Sequence, residues 1–145
     1  MIALLQRVTA ASVVVDGTEI AAIGQGLLVL VAVHRDDEEK DIARLAERIL
    51  SYRVFPDAAD RMNHSVEDEG HDLLLVPQFT LAADTRKGTR ASFTRAASPE
   101  RGEDYFRRLV GICKKRLKTV ESGRFGANMQ VKLVNDGPVT FWLES

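Results

Sequence analysis

Leu27-Leu28-Val29-Leu30-Val31-Ala32-Val33 is an unbroken run of seven apolar residues. A strand with one wet face alternates apolar and polar residues, whereas a short continuous run rich in valine and leucine reads as a strand buried on both faces. Such a strand cannot stand at a surface. It requires cover above and below, so the rest of the chain has to supply layers around it. The 145 residues suit one domain, taken here as 1–145. With 45% hydrophobic and 28% charged residues, there is enough apolar material for a sizeable core.

Ile2 to Val8 is apolar and β-compatible. Val13-Val14-Val15, Asp16-Gly17 and Thr18 to Ile23 read as a hairpin, because Asp-Gly supplies the positive φ angles of a tight turn. Asp36-Asp37-Glu38-Glu39 opens a helix, four acids suiting the positive end of its dipole. Ile42, Leu45, Ala46 and Ile49 then recur at helical spacing on one face. Pro56 closes that region, and Asp57 to Asp72 is polar and loop-like. Leu73 to Val76 is a short strand, limited by Pro77. Ala82 to Ala97 has no clean period.

Ser98-Pro99-Glu100 starts a second helix with a capping hydroxyl, a proline at the first helical position and an acid in the first turn. Tyr105, Phe106, Leu109, Ile112, Cys113, Arg116 and Leu117 mark adjoining stripes of it, with Lys114, Lys115, Arg116 and Lys118 near its negative end. Gly123 and Gly126 flank Phe125 in a turn. Met129, Val131 and Leu133 alternate with Gln130 and Lys132 in a strand. Asn135-Asp136-Gly137-Pro138 reads as a turn before a last strand, Val139 to Leu143. The order of elements predicts an α+β domain with a mixed or antiparallel, barrel-like sheet and two main helices.

The formal net charge is −1, which argues against a protein that coats long nucleic acid, so any RNA contact must be local. The single Cys113 permits no intramolecular disulfide. No signal-peptide pattern is present, and no apolar run approaches the roughly 20 residues that span a bilayer. A soluble cytoplasmic domain with no membrane and no DNA partner is expected.

The usual catalytic signatures are missing. His34, His64 and His71 have no metal-ligand spacing with one another or with Cys113, so neither a metal nor another cofactor is expected. Cys113 lies inside an amphipathic helix and reads as packing. There is no G-x-S-x-G elbow, Walker loop or dinucleotide fingerprint. Acid pairs such as Asp36-Asp37 stand where helix starts put them.

Three segments stand out: Pro77-Gln78-Phe79-Thr80-Leu81, Lys87-Gly88-Thr89-Arg90-Ala91-Ser92-Phe93 and Asn135-Asp136-Gly137-Pro138-Val139-Thr140. Each alone has a plain reading, as a strand end, a solvated basic loop and a turn. Taken with Gln6-Arg7-Val8 and Phe125-Gly126-Ala127-Asn128-Met129, their order and spacing resemble the D-aminoacyl-tRNA deacylase family from Met1 to the last strand.

The resemblance implies a homodimeric esterase that removes D-amino acids, and also glycine, from the 3′ end of tRNA in translation quality control. Gly137-Pro138 resembles a pair joined by a cis bond and inserted into the other subunit's active site, with Arg7 holding that loop. Gln78, Phe79 and Thr80 resemble the segment beside the scissile ester, taken here as the catalytic set. Phe125 and Met129 resemble the residues that receive the terminal adenosine, a base face suited to stacking.

One position departs from the family. Pro77 stands where Ser is usual, as it does in a sister group that removes L-alanine, but that group has Ala after Gln where this chain has Phe79. The D-specific reading is kept.

Ester hydrolysis needs a nucleophile and donors for the developing oxyanion. Thr80 is the only hydroxyl within the Gln78 motif, yet no His or Lys neighbours it in sequence. The resemblance implies that the neighbouring ribose hydroxyl assists while backbone amides around Phe79 and Thr80 position the ester. A module that binds tRNA ends without cleaving them, and a purely structural dimer, are the other classes.

Overall fold

The computed structural model describes all residues, Met1–Ser145. Its elements in chain order are β1 (Ile2–Val15), β2 (Thr18–Ile23), β3 (Gly26–Ala32), α1 (Glu39–Ser51), β4 (Phe55–Pro56), β5 (Met62–His64), α2 (Val66–Glu69), β6 (Asp72–Pro77), a 3₁₀ turn (Phe79–Ala82), α3 (Pro99–Lys114), β7 (Val120–Ser122) and β8 (Gln130–Glu144).

Six strands form one curled sheet, and β4 pairs with β5 apart from it. β1 runs antiparallel to β2, β3 and β8, while β3, β6 and β7 lie parallel to one another. Curling brings β2 close to β6 and β7, so the sheet is nearly a closed barrel, and two main helices cover one face. The expected fold class is what the chain adopts.

β3 explains why its sequence is apolar throughout. Leu27, Val29, Val31 and Val33 join the larger core beneath α1 and α3, with Ile42, Leu45, Ile49, Phe106, Leu109 and Cys113. Leu28 points to the opposite face and joins Val8, Val13, Ile23, Leu74 and Val76 inside the curl of the sheet. At about 25 cal/mol per Å² of apolar surface, two buried faces make β3 poorly replaceable by polar residues.

Several local readings change. The two β-compatible segments 2–8 and 13–15 are one 14-residue strand, because Thr9 and Ala10 face solvent on a strand that continues through them. α1 begins at Glu39, with Glu38 as its cap and Asp41 completing a capping box. Asp37, expected in the helix start, is instead buried. One carboxylate oxygen accepts from the Met1 ammonium at 2.6 Å and the other from the His34 amide at 2.6 Å.

The polar stretch 57–72 contains β5 and the one-turn helix α2, the latter capped by Ser65 and Asp68. Arg116, assigned to a helix stripe, lies beyond the end of α3 and joins Glu47 of α1 to Glu67 of α2.

The largest change concerns Asn135 to Pro138. These residues do not turn the chain between two strands. β8 runs unbroken from Gln130 to Glu144, and Gly137-Pro138 sits in a lateral bulge of it. Gln6 pairs with Thr140 and Val8 with Asn135, so the four residues 136–139 stand opposite the single residue Arg7. A second irregularity between Val8 and Ala10 returns the offset to an even number, which keeps inward and outward faces in step along the strand.

Candidate active site

β3, β6 and β7 end together, and a cleft of about 450 Å³ opens outside their carboxyl ends. Ligands in sheets with parallel strands are commonly taken at this place, since the strand ends fix the floor while the following loops stay free to vary. Val31 and Val33 form part of the floor, Pro77, Gln78 and Phe79 one rim, and Phe125 to Met129 another. The N-terminus of α3 completes it through Ser98, Pro99 and Gly102.

The rim after β6 is built by Pro77. β6 ends there, the Gln78 amide still donates to the Val31 carbonyl at 2.7 Å, and the chain then tightens into the 3₁₀ turn Phe79–Ala82. The first amides of such a turn have no partner within it. The Leu81 amide donates to Gln78 and the Ala83 amide to Thr80, so the turn's own hydrogen bonds leave the Phe79 and Thr80 amides unused. Both residues are exposed, Phe79 at the mouth of an apolar cleft and Thr80 next to it. The Thr80 hydroxyl accepts a hydrogen bond from the Gln78 side-chain amide, and no histidine, lysine or carboxylate bonds to it.

Phe125 lies against α3 where the helix has no side chain. A Cβ on Gly102 would come within 3.2 Å of Phe125 Cζ, tighter than ordinary contact. A glycine inside a helix costs about 0.8–1 kcal/mol relative to alanine, and here it makes room for an aromatic wall. Met129, which also lines the cleft, accepts at its sulfur from the Arg124 amide at 3.4 Å.

The cleft brings together Gln78, Phe79, Phe125 and Met129, with Thr80 next in the chain to its rim. It does not include Arg7, Gly137 or Pro138 of the same chain. These three form a second constellation on β1 and β8. Arg7 Nη1 donates to the Val54 carbonyl at 2.7 Å, and Arg7 Nε to the Asp136 carbonyl at 3.2 Å. The Asn135 side chain accepts from the Val139 amide and donates to the Thr140 hydroxyl, closing the bulge from within.

The Gly137-Pro138 bond is cis, and Gly137 has φ +128°. A Cβ there would stand 2.7 Å from Val139 Cγ2 and 3.2 Å from Arg7 Nη2, so only glycine fits. Both Gly137 and Pro138 are exposed.

Cleft residues not singled out as functional in the sequence include Val31, Val33, Ser98, Gly102 and Phe106. Gly102 carried a usable signal, since a lone glycine inside a helical pattern needs a packing or functional reason. The others read as ordinary core or cap residues.

Cys113 is buried away from the cleft, and burial pushes its thiol up to about 12. No cluster of three or more His, Cys, Asp or Glu side chains is placed to hold a metal ion. No helix is long and apolar enough to cross a membrane.

Residues 4–144 match the family model described as D-Tyr-tRNA(Tyr) deacylase. The chain belongs to this family.

The D-aminoacyl-tRNA deacylase of Alkalilimnicola ehrlichii is 64% identical over 145 residues, covering 100% of this chain and 97% of that protein. The one from Escherichia coli O1:K1 / APEC is 54% identical over 144 residues, 99% of each. Among solved structures, one described as c-Myc DNA Unwinding Element Binding Protein has a TM-score of 0.95 at 40% identity, covering 100% of this chain and 99% of that one. A probable eukaryotic D-amino acid tRNA deacylase shares the fold at 17% identity with a TM-score of 0.87, covering 99% of this chain and 98% of that one. In this chain Pro77, Gln78 and Phe79 stand at the rim of the cleft, and Thr80 follows them in the 3₁₀ turn.

Proposed function

We propose that the chain hydrolyses the ester of D-aminoacyl-tRNA to free D-amino acid and tRNA, and that it also cleaves the glycyl ester while rejecting L-aminoacyl esters. The observation that carries this reading is the 3₁₀ turn at the edge of an apolar cleft, whose own hydrogen bonds leave the Phe79 and Thr80 amides unused. An ester carbonyl placed there gains two donors as its oxygen becomes negative. Donors fixed in advance are the largest single contribution in many acyl-transfer sites. Phe125 and Met129 offer an aromatic face and a soft apolar contact to the terminal adenine. Thr80 has no base beside it, which favours assistance by the neighbouring ribose hydroxyl over a side-chain nucleophile.

Chirality calls for exclusion, since D and L esters carry the same groups and one methylene-scale contact discriminates by only about 1–3 kcal/mol. The exposed Gly137-Pro138 bulge is outside the cleft of its own chain, and we assign it to the cleft of a second copy. β8 favours such a dimer: it pairs with β1 along one side only and leaves Val134 and Trp142 exposed. A wall against L side chains meets nothing in glycine, so the glycyl ester passes.

The test compares D-alanyl, glycyl and L-alanyl esters on one tRNA, together with the oligomeric state. Cleavage of the first two by a dimer is expected. Cleavage of D-alanyl but not glycyl ester would remove the exclusion argument. Preferred cleavage of the L-alanyl ester would move the chain to the sister activity that Pro77 resembles. Full activity of a monomer at micromolar concentration would remove the shared site.

A further inference from the structure

An RNA whose last nucleotide sits in the cleft has to leave through its mouth, and the strand that leaves is a polyanion. The chain as a whole is at net charge −1 and offers no general attraction. The loop between the rim at Phe79–Ala82 and the cleft residue Ala97 carries Arg86, Lys87, Arg90 and Arg95.

This loop is fastened at its base. Asp84 and Ser92 exchange two backbone hydrogen bonds at 2.8 and 3.0 Å, and the Phe93 ring packs on Phe79 with centroids 5.1 Å apart. Arg86 is spent on Asp84, donating from Nε at 2.9 Å and again from Nη2. Lys87 and Arg90, beyond that clamp, are exposed and pair with no carboxylate.

Another unpaired basic group exists at Lys114, Lys115 and Lys118, but it lies at the far end of α3. With about 1.5 Å rise per residue, the 16 residues of α3 put it roughly 24 Å from the end that lines the cleft. Proximity therefore separates two patches of similar charge.

We infer that Lys87 and Arg90 hold the phosphates that precede the terminal nucleotide, making the 84–95 loop a phosphate clamp at the cleft mouth. The inference rests on the proposed seating of the ester and adenosine in the cleft. It assigns affinity for the RNA backbone, without sequence information, to a loop outside the reacting centre.

The experiment measures kcat/KM for D-tyrosyl-tRNA against salt concentration, for the unsubstituted protein, for Lys87→Gln/Arg90→Gln and for Lys114→Gln/Lys115→Gln, which changes net charge equally. D-tyrosyl-adenosine, which carries no phosphate, serves as the second substrate. Each phosphate contact on a single strand contributes a slope of about 0.7 in log–log form, so the loop variant should flatten the dependence by about 1.4. With the contribution vanishing at 1 M salt, the ratio of tRNA to adenosine-ester activity should fall about 25-fold at 0.1 M. The α3 variant should leave the slope as it was.

An equal fall on both substrates would make the loop a structural support, and an unaltered slope would place the phosphates elsewhere. Either result overturns the inference, as does equal flattening by the α3 variant. If the unsubstituted protein cleaves neither ester, the reading of the cleft itself fails.

Discussion

Arg7→Ala should cost about 3 kcal/mol of stability and relax the discrimination between D and L esters. The Arg7 guanidinium is only 15% exposed and joins two segments that share no other side-chain bond to it. Its Nη1 donates to the carbonyl of Val54, a residue 1% exposed, at 2.7 Å. A hydrogen bond from a charged donor contributes about 1.5–3 kcal/mol, and a buried carbonyl left without it costs in the same range. The contact of Nε with the Asp136 carboxylate at 3.3 Å adds little, roughly 0–1 kcal/mol, because Asp136 is 42% exposed.

At about 1.5 kcal/mol per molar for a chain of this size, the urea midpoint should fall by roughly 2 M. It must be measured at one protein concentration, since association between copies would make it concentration-dependent. Arg7→Lys should recover little, as an ammonium cannot reach both carbonyls in the forked geometry of the guanidinium. Asp136→Asn keeps the backbone carbonyl and should cost under about 1 kcal/mol. The companion assay follows loss of D- and L-tyrosyl esters from tRNA. A variant as stable as the unsubstituted protein, with chirality intact, would refute the view that Arg7 anchors the bulge.

Thr80→Ala should keep substantial activity, and removal of the terminal ribose 2′-hydroxyl from the substrate should be far more damaging; the reverse ranking in single-turnover assays would mean a side-chain nucleophile. Cys113, with its buried thiol raised to about 12, should resist thiol reagents at pH 8 until the chain unfolds, and prompt labelling of the native protein would contradict its packing. His34 has its pKa lowered, chiefly by burial, so the folded state binds its proton less readily than the unfolded chain. Its contribution is then present above about 6.5 and lost as pH falls through the lower folded value. The urea midpoint should decline from pH 7.5 toward 5, and His34→Gln should flatten that decline; an unchanged slope in the variant would exclude His34 as its source.

Legibility in the sequence followed the strength of local periodicity. The doubly buried β3, the hairpin around Asp16-Gly17 and the cap at Ser98 were readable because each rests on a pattern a few residues long. α2 was not, since four residues cannot show a helical period, although Ser65 and Asp68 already spelled its capping box. Asn135-Asp136-Gly137-Pro138 has turn chemistry and does bend the backbone, but which partner strand lies on each side of the bend is a tertiary fact. The cleft joins residues as distant as Val31 and Met129, and no local pattern announces that convergence; only the resemblance linked Gln78 with Phe125.

The lateral position of the Gly137-Pro138 bulge bears on which changes in chain length the protein can absorb. A loop at the tip of a hairpin accepts an added residue at small cost, because both strands below it keep their pairing. Residues 136–139 are held on both flanks, by Asn135 against Val8 and by Thr140 against Gln6. One residue inserted or deleted between those anchors would slide the last strand by a single position along β1. Phe141 and Leu143, which now face the core, would be carried outward, and Trp142 and Glu144 would be driven inward. The bulge is therefore closed to change in its length as well as to any side chain at Gly137, and lineages of this chain should conserve the count of residues between Asn135 and Thr140.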